Sequence, residues 1–160
     1  MKEFEIKATA KEYVFEELEP ADRRLVEEAK AACDGSYAPF SKFNVGAAIL
    51  LANGKIIRGS NQENAAFPSG LCAERTAAFY ASSAHPGISF KKIAIAARAL
   101  SETDGYKFQS FPISPCGGCR QVLLEYEHLY GPIEVILFGE EKTLVIPSIK
   151  SLLPLGFIDF

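Results

Sequence analysis

The strongest constraint on the fold is an alternation of two hydrophobic periods, in which segments with apolar residues three and four apart alternate with short continuous apolar runs. Residues 20–33 open on Pro20 and put Ala21, Leu25, Val26, Ala29, Ala32 and Cys33 on one helical face, and Asp34-Gly35 ends the pattern. Residues 45–51 and 55–59 flank Asn53-Gly54, a dipeptide favoured in tight hairpins because both central residues tolerate positive φ. A second helix is expected over 71–83, where good helix formers gather before His85-Pro86. Ser114-Pro115 reads as the start of a third, with Val122, Leu123, Tyr126 and Leu129 as its buried stripe and Gly131-Pro132 as its stop. Residues 93–97 and 133–138 are strand candidates, 101–112 a polar connection and 149–153 a closing helical turn. The order of helix, two hairpin strands, helix, strand, helix, strand predicts an α/β layered domain with a central sheet covered by helices.

A chain of 160 residues is expected to be one domain, 1–160, whose first 19 residues form an N-terminal arm or an extra edge strand: residues 3–8 alternate weakly, as a short strand or a mobile tail would. A domain of this size hides roughly 70% of its unfolded surface, so it needs no disulfides. With 48% apolar and 23% charged residues it is not a disordered chain. The net charge of −3 argues against a broad nucleic-acid or anionic-membrane surface. Lys2, Glu3, Glu5 and Lys7 leave no apolar stretch for a signal peptide, and the longest apolar run, 47–52, is too short to span a bilayer, so a cytoplasmic location is expected. In a reducing compartment, closely spaced cysteines point first to metal or thiol chemistry.

Three of the four cysteines fall at expected helix starts: Cys72 in Cys72-Ala73-Glu74-Arg75, and Cys116 and Cys119 in Pro115-Cys116-Gly117-Gly118-Cys119-Arg120. Helix N-termini carry unpaired N–H groups and partial positive charge, which favour the thiolate. Zinc is the expected metal, since it accepts several thiolates and has no redox chemistry of its own. A dithiol redox centre would use the Cys116/Cys119 spacing but explains neither Cys72 nor Glu74. Three protein ligands leave the fourth position of a tetrahedron for water, as in a catalytic site. Of the remaining candidates, Cys33 lies on the apolar face of the first helix, where a buried thiol accounts for it; His85 and His128 complete no ligand spacing. Glu74 can serve simply to offset a helix dipole, but beside a metal ligand it can also accept a proton from an acidified water and pass it on. Three thiolates against a divalent ion leave one net negative charge, which Arg75 chiefly, with Arg120 and the helix dipoles, is placed to offset by hydrogen bonds to sulfur; an exposed helix position is the alternative for each arginine and accounts for Arg75 no better.

Cys-Ala-Glu followed, 44 positions after its cysteine, by Pro-Cys-x-x-Cys resembles the signature of the zinc-dependent nucleoside deaminases. Tyr37-Ala38-Pro39-Phe40-Ser41-Lys42-Phe43, Val45-Gly46-Ala47-Ala48 and Asn61-Gln62-Glu63-Asn64-Ala65-Ala66 add blocks, in order, that are similar to the small cytidine deaminase family over about residues 20–157. The resemblance implies a three-layer α/β/α sandwich with a central mixed sheet, one zinc per subunit on Cys72, Cys116 and Cys119, Glu74 as the proton-carrying catalytic residue, and a homotetramer. It further implies that Phe43 lies beside the base, that Asn61 and Glu63 bond the sugar hydroxyls, and that the Ala73 N–H holds the pyrimidine carbonyl. Ordinary core packing accounts for Phe43 equally well, and solvated loop positions for Asn61 and Glu63.

The implied reaction is hydrolytic deamination of cytidine and deoxycytidine in pyrimidine salvage. A deaminase for a cytosine-containing antibiotic such as blasticidin S shares the zinc motifs, whereas a polynucleotide editor is disfavoured by the scattered basic residues. A structural zinc module closed by Cys33 is the reading from another class. Departures from the family pattern are Gly118 where alanine is common, a long 101–114 connection, the N-terminal arm, and a chain that continues past Phe157 to Phe160, both of which are candidates to reach a neighbouring site.

Overall fold

A mixed seven-stranded sheet carries the helices in the computed structural model, which describes residues 1–101 and 103–158. The elements in chain order are β1 (Lys11–Tyr13), α1 (Pro20–Ala32), β2 (Phe43–Leu51), β3 (Ile56–Ser60), α2 (Ala73–Ala84), β4 (Phe90–Ser101), β5 (Gly105–Phe108), α3 (Gly117–Tyr130), β6 (Glu134–Leu137) and β7 (Thr143–Ile146). The strand order is β1-β7-β6-β4-β2-β3, with β5 paired to the far end of β4. Among these strands β4 and β6 run parallel, joined by the crossover through α3, and the other strand pairs are antiparallel.

The central strands read as continuous apolar runs because both faces of the sheet are covered. Along β4, Ile93 and Ile95 pack with Ala77, Ala78, Ala81, Leu123 and Leu124 of α2 and α3. The alternate residues Ala94 and Ala96 pack on the other face with Leu25, Val26, Ala29 and Cys33 of α1 and the turn after it. The result is the expected three-layer α/β/α arrangement. Two glycines let the helices lie against strand backbone. A Cβ at Gly46 of β2 would stand 2.0 Å from Ala29 O of α1, and one at Gly59 of β3 would stand 2.4 Å from Ala77 N of α2.

Local details differ from the sequence-based expectation. Gly54 alone takes positive φ (+83°), while Gly54 N–H donates to Leu51 O at 3.0 Å and Leu51 N–H to Lys55 O at 2.9 Å. This is a type I turn closed by a left-handed glycine rather than a turn with two positive-φ residues, and the Asn53 side chain serves it by accepting from Lys55 N–H at 3.1 Å. The third helix starts at Gly117, with Cys116 at the N-cap, not at Ser114-Pro115. The edge strand of the arm forms at Lys11–Tyr13 rather than over 3–8, because its partner is β7. The 101–112 connection contains β5, which folds back on β4.

Candidate active site

Two helix N-termini on the α2/α3 side of the sheet bring the three cysteines together. Cys72 is the N-cap of α2, Cys116 the N-cap of α3, and Cys119 lies in the first turn of α3. Neither N-cap sulfur makes a capping bond to the backbone of its own helix. Cys72 and Cys116 Sγ stand 3.7 Å apart, Cys116 and Cys119 Sγ 3.4 Å apart, and all three lie within 4.8 Å of one another. Sulfurs bound to tetrahedral zinc at about 2.3 Å stand about 3.8 Å from each other, so this donor set fits zinc. The site is graded in access, with Cys119 buried, Cys72 half-buried and Cys116 exposed.

Sulfurs this close divide their protons unequally. A hydrogen bond from Cys119, aided by Arg75 and Cys116, holds the Cys72 thiol down at about 5, and the same Cys119–Cys72 contact together with burial pushes Cys119 up. A divalent cation held among them would take the place of the shared proton. Arg75 Nη2 lies 3.9 Å from Cys72 Sγ, and its buried Nε has no hydrogen-bond partner within the described chain, so the guanidinium is turned to the cluster as charge compensation requires. Glu74, two residues beyond Cys72, is 4% exposed. Burial above all, followed by the charge on Cys72, pushes its carboxyl up to about 7, the range in which a group both takes and gives protons near neutral pH.

Glu74, Cys72, Cys116 and Arg75 line one end of a cavity of about 400 Å³, and Asn61, Glu63, Asn64 and Phe67 line it on the loop side. That loop is fixed by its backbone. Gln62 exchanges two hydrogen bonds with Leu71, at 2.8 and 2.9 Å, while Tyr37 N–H donates to Asn61 O and Glu63 N–H to Tyr37 O. The Asn61 amide clamps the start of β2, accepting from Val45 N–H at 2.8 Å and donating to Phe43 O at 2.9 Å, which leaves one amide hydrogen for other partners. Glu63 Oε2 accepts from the N–H groups of Phe40 (2.9 Å) and Ser41 (3.2 Å). The Ser41 hydroxyl, these N–H groups and Lys42 hold its carboxyl below the usual range.

Four expected residues, Phe43, Ala73, Cys119 and Arg120, do not line this cavity. Phe43 is half-buried at the start of β2, and its carbonyl serves Asn61. Ala73 is fully buried in the first turn of α2, and Cys119 is fully buried in the first turn of α3. Ile113 and Ser114 do line it, although the sequence marks Ser114 only as a helix cap. The Arg120 guanidinium donates to Pro115 O, Leu152 O and Ser114 Oγ, each at 2.8 Å, and these bonds go to the chain around the ligands rather than to sulfur. Cys33 is fully buried on the opposite face of the sheet, hydrogen-bonded to Ala29 O and Ala96 O, and belongs to the core. His85 caps the end of α2 and His128 is exposed in the last turn of α3; among the described residues neither joins the ligand group. Phe157 is 65% exposed, and Phe160 lies outside the described residues.

Comparison with known proteins extends the same pattern across most of the chain. The family described as "Cytidine and deoxycytidylate deaminase zinc-binding region" matches residues 19–130, which contain all three cysteines and Glu74. The cytidine deaminase of Sporosarcina psychrophila is 41% identical over 135 residues, covering 84% of this chain and 89% of its own. The crystal structure of cytidine deaminase from Burkholderia pseudomallei superposes with a TM-score of 0.68 at 40% identity, covering 84% of this chain and 97% of that one. That from Mycobacterium tuberculosis reaches 0.66 at 28% identity, covering 87% and 98%. With the family match spanning the three converging sulfurs and the glutamate between the ligand blocks, and relatives matched over most of the chain, the chain belongs to the zinc-binding cytidine and deoxycytidylate deaminase family.

Proposed function

We propose that this chain is a single-domain cytidine deaminase that hydrolyses cytidine and deoxycytidine to uridine and deoxyuridine, with release of ammonia, in pyrimidine salvage. The observation that carries the reading is a buried carboxyl, Glu74, at the edge of a cavity whose wall also holds two of three converging sulfurs. Cys72, Cys116 and Cys119 would hold zinc, which would supply a Lewis acid able to lower the pKa of a water from 15.7 toward about 7. Glu74 accepts that water's proton at its carboxylate and delivers it to N3 of the pyrimidine, which makes C4 electrophilic. The water oxygen adds to C4, Glu74 carries the second proton to the 4-amino group, the C4–N bond breaks and ammonia leaves. Because Glu74 sits out of water, its proton stays on the path between water and base.

Asn61 and Glu63 are assigned to the sugar hydroxyls, which the remaining amide hydrogen of Asn61 and the free lone pairs of Glu63 suit, with Phe43 behind the base and the Ala73 N–H toward its carbonyl. Arg75 offsets the thiolate charge. The exposed aromatic residues Tyr37, Phe40, Phe67, Phe79 and Tyr80 suit burial between subunits and support a homotetramer. Among the described residues no helix is long and apolar enough to cross a membrane, and a free-thiol site is in keeping with the cytoplasm.

The test combines zinc content with ammonia release from cytidine, deoxycytidine, cytosine and blasticidin S, for wild type and Glu74→Gln. One zinc per chain in both proteins, turnover of the two nucleosides by wild type and a loss of roughly 10²–10⁴-fold in Glu74→Gln are expected. Turnover of blasticidin S alone would replace the substrate assignment, and zinc without turnover of any of the four would overturn the enzyme reading.

A further inference from the structure

Residues 148–157 run back along α3, and one face of that helix is given over to holding them. Glu127 accepts from Ser148 Oγ at 2.5 Å and from the N–H groups of Ile149 (2.8 Å) and Lys150 (3.1 Å). Arg120 Nη1 donates to Leu152 O at 2.8 Å. Gly156 lies so close that a Cβ there would stand 2.2 Å from Leu124 Cδ2. The Gln121 amide takes both backbone groups of Phe157, accepting from its N–H at 3.2 Å and donating to its carbonyl at 2.5 Å. Residues 120, 121, 124 and 127 follow the spacing of one helical face. The strap covering 148–157 is therefore tied down over about two turns of α3, beginning one residue after Cys119.

Arg120 is where this strap meets the metal ligands. While Nη1 holds Leu152 O, its Nε holds Pro115 O and its Nη2 holds Ser114 Oγ, the two residues immediately before Cys116. Cys116 needs such support. Its sulfur is the exposed member of the three, on the N-cap of a helix whose first two residues are Gly117 and Gly118, around which a Cβ would meet nothing within 4 Å. Cys119, by contrast, is held by burial within the helix.

We propose that Arg120 is a positioning residue that uses the C-terminal strap as its anchor to fix the Ser114–Pro115–Cys116 turn, so that the Cys116 sulfur is already in place for zinc. The proposal rests on the zinc reading of the three sulfurs and adds a role for residues that touch neither metal nor substrate. Groups that orient metal ligands typically change metal affinity 10- to 100-fold when removed.

The experiment follows the release of zinc from the loaded protein to a chromophoric chelator, for wild type, Arg120→Met and Arg120→Lys, with the sulfur-to-cobalt charge-transfer spectrum of the cobalt-substituted forms and thermal melting of metal-free and loaded protein. Arg120→Met keeps the apolar stem and removes all three bonds. It is expected to release zinc at least about 10-fold faster, to change the cobalt spectrum, and to lose more melting temperature in the loaded than in the metal-free form; Arg120→Lys, with a single ammonium, should fall between it and wild type. Equal melting losses in both forms with unchanged release and spectrum would make Arg120 a fold stabiliser only and overturn the proposal. If Arg120→Met does not fold, Ser114→Ala takes its place by removing one of the three acceptors, with faster release expected and an unchanged rate overturning the proposal. Wild type that takes up neither zinc nor cobalt would overturn the metal reading itself, and this proposal with it.

Discussion

Replacing Gly59 by alanine should damage the site from behind, without touching any group that meets zinc or substrate. The added Cβ would stand 2.4 Å from Ala77 N, 2.6 Å from Ala73 O and 2.8 Å from Ala77 Cα, whereas ordinary contact begins at 3.4 Å. All three atoms are backbone of consecutive turns of α2, so no side chain can rotate out of the way, and the helix must withdraw from β3 by about 1 Å. Cys72, Glu74 and Arg75 ride on that end of the helix. Overpacking of this kind costs about 1–3 kcal/mol, which for a domain of this size lowers the melting temperature by roughly 2–12 °C. A 1 Å misplacement of reacting groups costs about 10²-fold in rate. Gly118→Ala is the control, since a Cβ there meets nothing within 4 Å and alanine favours the helix by up to about 1 kcal/mol. The assay is kcat for cytidine, zinc per chain and thermal melting for the three proteins. Wild-type turnover and melting in Gly59→Ala would refute the argument that this close approach sets the position of α2.

Three further outcomes are expected. Glu127→Gln turns a buried acceptor of four donors into a group that presents N–H to N–H, so it should cost roughly 2–4 kcal/mol in urea unfolding; a change below about 0.5 kcal/mol would show that the carboxylate is not what holds the strap. Arg75→Gln should stay folded yet lose at least about 10-fold in turnover and alter the pH–rate profile, and an unchanged profile at full turnover would remove Arg75 from charge compensation. Burial pushes the Cys33 thiol up from 9.0 to about 11, so the folded state keeps this proton where the unfolded chain loses it. That contribution to stability is complete below pH 9 and is lost at about 1.4 kcal/mol per unit as pH rises toward 11. Cys33→Ala should retain zinc and show a flatter alkaline fall in urea midpoint than wild type; parallel curves would contradict the burial argument.

What could be read from the residues alone, and what could not, separates by the range of the interactions involved. The three sulfurs and Glu74 were legible because each sits at a helix start, and a helix start is written within a few neighbouring residues: Cys72 and Glu74 lie within one turn, as do Cys116 and Cys119. The layers were legible too, since β2 and β4 are long enough for apolar runs to mark strands covered on both faces. Strands β5 and β7 carry only four residues each, β1 only three, and each owes its existence to a neighbour distant in sequence or to a chain reversal, so periodicity had too few residues to register them. The same range limit explains Arg120. Its place one residue after Cys119 suggests a bond to sulfur, but the carbonyl it reaches at Leu152 lies 32 residues away, and a backbone acceptor leaves no mark in the sequence at all. Local pattern therefore marks the groups proposed for the chemistry. The groups that hold them still, such as Gly59 under α2 and Arg120 between the strap and Cys116, become visible only when distant segments are in contact.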